Sequence, residues 1–215
     1  MIYLDNAATT YPKPFSVLET VYRANRKYAY NSGRGGYRES VQTAEKIFAV
    51  RDCLGRFFHC PEQNIVFTNN CTTAVNTALK GLLKPGDHVL ISALEHNAVF
   101  RPIYKLAREG RITYDQVPYH PDPDRFLQNI RALEQPNTAM VAMLHASNVF
   151  GVVNPLGLVG DYCRRKGWLF VVDAAQSAGI LPIDMQAMHI SALCALPGLR
   201  AGGMFTHFSD ADGSE

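Results

Sequence analysis

The feature that most constrains the fold is an alternation of short apolar runs with helical patterns, which begins near residue 64. The apolar runs predict strands over NIVFTNN (64–70), HVLISA (88–93), RITYDQV (111–117), TAMVAMLHAS (138–147) and WLFVV (168–172). The segments between them predict helices over 71–83, 97–110, 122–134 and 155–167. Strands that alternate with helices typically form a parallel sheet. The sequence therefore predicts an α/β fold with a mostly parallel, doubly wound sheet.

The two ends of the chain lack this alternation. Residues 13–30 and 40–58 predict two helices on either side of a glycine-rich stretch, so residues 1–62 are predicted to form a helical segment that packs on the large domain. Residues 63–195 would then form the α/β domain. From residue 196 the apolar periodicity ends, and we expect 196–215 to be a disordered tail.

Composition and charge exclude several function classes. The 215 residues include 21 basic and 19 acidic side chains, a net charge of +2, and the basic residues do not cluster. We therefore expect neither a nucleic acid nor a membrane as partner. The five cysteines show no CxxC spacing and predict reduced thiols rather than disulfides or a zinc site. No apolar run approaches a membrane span, and Asp5 interrupts the first apolar stretch, so we expect a cytoplasmic protein.

Four of the predicted strands are followed by polar side chains. These are Thr72 and Thr73, His96, Asn148, and Asp173 with Gln176. Ligands of open α/β sheets bind at the carboxyl ends of the strands, where these residues are expected to meet. A buried carboxylate such as Asp173 needs a partner, which could be the protonated ring nitrogen of a cofactor or a neighbouring arginine.

Each of these residues also has a plainer interpretation. The threonines could simply cap a helix, and the SNVFG segment could be an ordinary turn. His96 has no second ligand at metal spacing, so no metal site is predicted. Taken together, however, the residues suit one small ligand that carries a phosphate, a ring and an ionisable nitrogen. Pyridoxal 5′-phosphate has all three.

A dinucleotide-binding reductase is a weaker alternative for a doubly wound sheet. Such an enzyme needs a glycine-rich first strand-to-helix turn and an acidic residue about twenty positions later. The glycine run GRGG (33–36) lacks that spacing and does not follow a predicted strand.

Longer motifs support the pyridoxal phosphate interpretation. The segments YLDNAATTYPKP, NSGRGGYR, CTTAVN, LEHNAV, HASNVFGVVNP and VVDAAQSAGILPIDMQ occur in this order between residues 2 and 195. They resemble the class V aminotransferase family of fold-type I pyridoxal phosphate enzymes, and within it the cysteine desulfurase and selenocysteine lyase branch. The resemblance implies a three-layer large domain, pyridoxal 5′-phosphate as cofactor, a small amino acid as substrate and a homodimer.

The resemblance also implies a role for each candidate residue. Thr72 and Thr73 would hold the cofactor phosphate, and His96 would stack on the pyridine ring and assist proton transfer. Asn148 and Gln176 would address the phenolic oxygen. Asp173 would pair with the ring nitrogen and keep it protonated.

The chain departs from the family pattern after residue 195. Where the family has a Gly-His-Lys turn that supplies the Schiff-base lysine, this chain has Leu199 and Arg200, and no lysine follows Lys166. Arginine stays protonated and is a poor nucleophile. The family's smaller C-terminal domain is also absent, so the resemblance implies a large domain that is incomplete at its C-terminus.

We therefore expect the chain as written to be inactive. Two explanations remain open: an interrupted gene product whose reading frame is lost near Leu196, or a lysine-less protein that binds pyridoxal phosphate or a similar phosphate ligand without covalent catalysis.

Overall fold

The computed structural model describes residues 2–33, 35–195 and 208–209. The helices are α1 (Phe15–Lys27), α2 (Arg38–Phe58), α3 (Cys71–Leu82), α4 (Asn97–Arg108), α5 (Pro123–Ala132) and α6 (Leu156–Lys166). The strands are β1 (Val66–Phe67), β2 (His88–Ser92), β3 (Thr113–Val117), β4 (Thr138–Leu144), β5 (Leu169–Asp173), β6 (Ala192–Ala195) and β7 (Phe208–Ser209). None of the helices in these ranges is long and apolar enough to cross a membrane.

The strands form one sheet in the order β1-β7-β6-β5-β4-β2-β3. Strands β6, β5, β4, β2 and β3 are parallel to one another, whereas β7 is antiparallel to both β1 and β6. The central strands are buried along almost their whole length, as expected for a sheet that is covered on both faces. The prediction of an α/β fold with a mostly parallel sheet is confirmed.

Helices cover both faces of the sheet and give three layers. Helices α3 and α4 pack on one face, in a core that includes Val89 and Ile91 of β2. Helices α2, α5 and α6 pack on the other face, in a core that includes Leu90 of the same strand. Side chains alternate between the two faces of a strand, so each strand contributes to both cores.

The order of the strands creates a crevice between β2 and β4. From β2 the chain crosses through α4 to β3 on one side, and from β4 it crosses through α6 to β5 on the other side. The two crossover helices lie on opposite faces, which the right-handed rule for parallel crossovers requires. The carboxyl ends of β2 and β4 therefore lie at a topological switch point, where doubly wound sheets bind ligands.

The N-terminal helices contact this body mainly through the end of α2. Leu54 and Phe58 are buried in the core that α2 shares with α5 and α6. The Phe58 carbonyl accepts a hydrogen bond of 3.0 Å from the Met185 N–H. Helix α1 buries only Val17 and Ala24. The division into segments 1–62 and 63–195 remains a prediction. The predicted disordered tail, 196–215, lies outside the described residues except for the two residues of β7.

One predicted strand is shorter in the structure, and one strand was not predicted. The strand predicted over 64–70 is only Val66–Phe67, because Glu62–Asn64 form a 3-10 helix and Asn70 already caps α3. The sequence also missed β6, which is fully buried. Its four residues, ALCA, include no β-branched or aromatic side chain, so they lack the composition that marks a strand.

Two glycines of α6 offer a matched test of this packing. A methyl group at Gly160 would collide with the Met188 carbonyl, whereas one at Gly157 would meet nothing within 4 Å. We expect Gly160→Ala to lower the free energy of unfolding by about 2 kcal/mol or more, because the backbone cannot yield as a side chain can. Gly157→Ala should leave it unchanged or raise it by up to about 1 kcal/mol. Urea unfolding of both variants measures the difference, and equal effects would contradict the packing of α6.

Candidate functional site

A cavity of about 380 Å³ lies at the carboxyl ends of β2, β4 and β5, beside the start of α3. Five of the six candidate residues line it: Thr72, His96, Asn148, Asp173 and Gln176. The remaining lining residues are Ala7, Ala8, Asn70, Cys71, Ala98, Leu144, Ala146 and Ala175. The fold therefore brings together residues that are separated by up to 104 positions between Thr72 and Gln176.

Asp173 is the most deeply buried polar group of this cavity. It is the last residue of β5 and is 6% exposed. Its Oδ1 accepts a hydrogen bond of 3.0 Å from the Ala175 N–H and one of 3.6 Å from the Cys71 thiol. Because both bonds fall on Oδ1, the second carboxylate oxygen is left to a ligand.

The electrostatic surroundings of Asp173 favour a cationic ligand. Burial raises the pKa of Asp173, and the hydrogen bonds to its carboxylate together with nearby His96 oppose that shift. The described residues that line the cavity include no lysine and no arginine. A positively charged group placed beside Asp173 would therefore stabilise its ionised form.

Cys71 supports Asp173 rather than acting as a nucleophile. Burial raises the pKa of its thiol, and the neighbouring Asp173 carboxylate adds to that shift. The thiol therefore stays protonated at neutral pH and serves as a hydrogen-bond donor, whereas nucleophilic attack needs the thiolate.

The start of α3 is capped by Asn70. Its side-chain oxygen accepts hydrogen bonds from the Thr73 N–H (2.7 Å) and the Thr73 hydroxyl (2.9 Å). The alternative in which a threonine caps the helix is therefore wrong. The cap could have been predicted from the sequence, because asparagine is strongly preferred at the N-cap position. Thr73 does not line the cavity, whereas Thr72 does. The Thr72 hydroxyl has no hydrogen-bond partner among the described residues.

Loss of this cap should cost stability. We expect Asn70→Ala to lower the free energy of unfolding by about 1 kcal/mol, since the Thr73 N–H loses its acceptor. Asp122→Ala is a matched control, because Asp122 caps α5 through the Arg125 N–H at 3.0 Å and does not line the cavity. Thermal unfolding measures both variants, and we expect a similar fall in melting temperature because each loses one helix cap. An unchanged melting temperature for Asn70→Ala would contradict the assignment of the cap.

His96 caps helix α4 and is fixed in one tautomer. Its Nδ1 accepts a hydrogen bond of 3.1 Å from the Ala98 N–H. An acceptor nitrogen carries no proton, so the proton of the neutral ring lies on Nε2. Asn148 is exposed in the loop that follows β4, with its amide free of partners among the described residues.

Gln176 connects the site to the N-terminal segment. Its Nε2 donates a hydrogen bond of 3.0 Å to the Ala7 carbonyl. This contact places Ala7 and Ala8 on the cavity wall. No local pattern in the sequence marks a contact between residues that are 169 positions apart.

Glu95 was missed by the sequence analysis, although it follows a buried strand as Asp173 does. Its Oε1 accepts hydrogen bonds from the Ser92 hydroxyl and, at 2.9 Å, from the Leu144 N–H. Its Oε2 is buried and has no partner among the described residues. Burial raises the pKa of Glu95 to about 8, the hydrogen bonds to Oε1 oppose the shift, and Asp173 adds to it. Glu95 is therefore largely protonated at neutral pH.

A larger groove, of about 500 Å³, lies between α1 and α2 beside Phe67. Its walls are mostly apolar, with Val21, Ile47 and Val50 among them, and its ionisable groups are Lys46 and Tyr28. Catalytic and cofactor sites combine an apolar wall with convergent polar groups. In the groove, Asn25 and Thr43 donate to backbone carbonyls of their own helices, those of Val21 and Glu39. The smaller cavity combines Asp173, His96, Asn148 and Gln176, so the cavity is the candidate site.

Comparisons with known proteins show the family to which the chain belongs. The sequence model of the family described as Aminotransferase class-V matches residues 2–195. The cysteine desulfurases IscS of Shewanella baltica (strain OS223) and Shewanella sediminis (strain HAW-EB3) are 33% and 34% identical to the chain. These alignments cover 89% and 88% of this chain but 48% of each relative. The chain thus spans about half the length of the curated relatives it matches.

Solved structures that the chain resembles include a cysteine desulfurase, and the chain again covers only part of each. SspA in complex with cysteine has a TM-score of 0.83 and 26% identity, over 97% of this chain and 60% of that one. The apo cysteine desulfurase from Thermococcus onnurineus NA1 has a TM-score of 0.83 and 27% identity, over 97% of this chain and 52% of that one.

Proposed function

The chain belongs to the class V aminotransferase family, and on that basis we propose that its cavity binds pyridoxal 5′-phosphate in a cysteine desulfurase-like site for a small amino acid. The observation that carries the proposal is the buried carboxylate of Asp173, whose Oδ2 has no hydrogen-bond donor among the described residues. The protonated ring nitrogen of the cofactor is a donor of the right charge for that oxygen.

The residues of the cavity fit this cofactor. A volume of about 380 Å³ lies within the range of about 300–1,000 Å³ that is common for small-molecule sites. The N-terminus of α3 and the Thr72 hydroxyl would hold the phosphate, since free N–H groups and the helix dipole favour an anion there. When bound, pyridoxal phosphate supplies an electron sink for bond cleavage at an amino acid.

Each side chain then has a distinct task. Asp173 would keep the ring nitrogen protonated, and the low polarity around it would strengthen that ion pair. His96 would face the ring and exchange a proton at Nε2. Asn148 would donate to the phenolic oxygen, and Gln176 would do so with the second hydrogen of its amide while the first stays on Ala7. The phosphate contact expected of Thr73 stays a prediction, because its N–H and hydroxyl both donate to Asn70 and it does not line the cavity.

We further propose that this chain holds the cofactor without a covalent bond and does not turn over substrate by itself. No lysine follows Lys166 in the sequence, and none lines the described part of the cavity. The residues at the place of the expected lysine, Leu199 and Arg200, lie outside the described residues. Binding without catalysis, the alternative raised by the sequence, is thus the form of activity proposed for the isolated chain.

The substrate class follows from the relatives. Those with about a third of their residues identical are cysteine desulfurases, and the SspA structure holds cysteine, so we propose cysteine or a similar amino acid for the complete site. A cytoplasmic location and a homodimer stay predictions.

Titration with pyridoxal 5′-phosphate tests the proposal. We expect saturable binding that induces a visible circular dichroism band, and no cofactor–lysine adduct after borohydride reduction and peptide mapping. Pyridoxal, which lacks the phosphate, should bind more weakly. No saturable binding to folded protein would contradict the cofactor assignment. A reduced adduct on one specific lysine would contradict non-covalent binding.

A further inference from the structure

Strands β2 and β4 separate at the edge of the cavity. They pair along their length up to Ile91 opposite Ala142. This pairing ends one residue before the end of β2, whereas β2 stays paired with β3 through Ser92 opposite Val117. The Leu144 N–H, at the end of β4, bonds to the Glu95 side chain instead of to the backbone of β2.

Glu95 occupies the gap between the separated strands. Its Oε1 accepts from the Leu144 N–H of β4 and from the hydroxyl of Ser92, the last residue of β2. A single carboxyl oxygen thus joins the two strands where their backbones no longer do. Because an unsatisfied buried N–H costs free energy, this contact keeps the opening between the strands stable.

Asn154 completes the support of Leu144. Its Nδ2 donates a hydrogen bond of 2.8 Å to the Leu144 carbonyl, and Asn154 is 1% exposed. The backbone N–H and the backbone carbonyl of Leu144 are therefore each hydrogen-bonded to a side chain. Leu144 lines the cavity and lies opposite Asp173 in the register of β4 and β5. The Glu95 contact is therefore adjacent to the polar centre of the site.

We propose that Glu95 is a positioning residue, which holds the turn after β2 against the end of β4 and so presents His96 to the cavity. His96 follows Glu95 directly and is anchored on its other side by the Ala98 N–H. With the turn fixed at Glu95 and the ring fixed at Nδ1, the imidazole has one orientation. The identity of the ligand that it meets rests on the proposed function.

Three variants separate positioning from simple stabilisation. Glu95→Gln keeps an oxygen that can accept both hydrogen bonds. Glu95→Ala removes that acceptor. Ser92→Ala removes one of the two donors and leaves the bond to Leu144 in place.

The first readout is the Nδ1 signal of His96 in nitrogen NMR of the ligand-free protein. His120 is an internal control, because its Nδ1 accepts from the Asp122 N–H at 3.0 Å in the same way and does not line the cavity. We expect Glu95→Ala to shift the His96 signal and leave that of His120 unchanged. Glu95→Gln should retain the wild-type His96 signal. A general loss of stability would not single out one histidine.

The second readout is the affinity for pyridoxal 5′-phosphate. We expect Glu95→Ala, which removes the acceptor of both the Ser92 hydroxyl and the Leu144 N–H, to weaken binding about tenfold, and Glu95→Gln to stay within about twofold of the wild type. If the wild-type protein binds no cofactor, the proposed function fails, whereas the His96 signal still tests the positioning role.

An unshifted His96 signal in folded Glu95→Ala would overturn the proposal. If that variant does not fold, Ser92→Ala decides: a smaller shift confined to His96 supports the proposal, and an unchanged signal contradicts it.

Discussion

Replacement of Asp173 by asparagine should weaken the binding of pyridoxal 5′-phosphate by about 10- to 100-fold, the effect of losing one charge-assisted hydrogen bond. The same change should make the ligand-free protein more stable at neutral pH. Burial raises the pKa of Asp173, so the folded protein holds the ionised carboxylate at a cost that a neutral amide does not incur. Opposite changes in affinity and stability distinguish loss of a ligand contact from misfolding.

The measurements are a cofactor titration and urea unfolding at pH 7.5. Asp124→Asn is the control, because Asp124 is exposed on α5 and does not line the cavity. Unchanged affinity in Asp173→Asn would contradict the assignment of Asp173 to the ring nitrogen. A fall in both affinity and stability would show that the carboxylate has a structural role instead.

The contribution of Glu95 to the stability of the folded protein should fall as the pH rises from about 4.3 to about 8. The lower value is the ordinary pKa of glutamate, and the higher one is the pKa that burial gives Glu95. Over this range the unfolded chain has released the proton that the folded chain retains. The contribution to the free energy of unfolding therefore falls by about 1.4 kcal/mol per pH unit and levels off above the folded pKa.

Glu95→Gln should remove this dependence, because the amide mimics the protonated carboxyl group. The difference in unfolding free energy between this variant and the wild type should grow from pH 5 to pH 8, with Glu45→Gln, an exposed position on α2, as control. Comparison with the wild type also cancels the contribution of His88. Burial lowers the pKa of His88, so the folded protein loses stability from it as the pH falls below about 6.5. Parallel pH curves for wild type and Glu95→Gln would contradict the burial of Glu95.

The sequence predicts the sheet and the place of the site because both follow from regular patterns. Alternation of strands and helices gives the parallel sheet, and polar residues after buried strands meet at its carboxyl edge. Five of the six candidates line one cavity for that reason. Thr73 does not line it, and its N–H and hydroxyl both donate to Asn70.

The remaining features depend on contacts that a local pattern does not encode. The Gln176 amide reaches Ala7 at the other end of the chain, and Glu95 reaches Leu144 only because β2 and β4 separate. Glu95 was predictable in principle, because it is an acidic residue close behind a buried strand. The adjacent His96 was chosen as the candidate residue instead. Strand β6 was missed because it is short and has no β-branched residue.

The most direct test of the central claim is the nitrogen NMR signal of pyridoxal 5′-phosphate labelled at its ring nitrogen and bound to this chain at pH 8. We predict a protonated ring nitrogen in the wild-type complex, and a deprotonated one in whatever complex Asp173→Asn retains. A deprotonated nitrogen in the wild-type complex would contradict the claim that Asp173 holds the cofactor by its ring nitrogen.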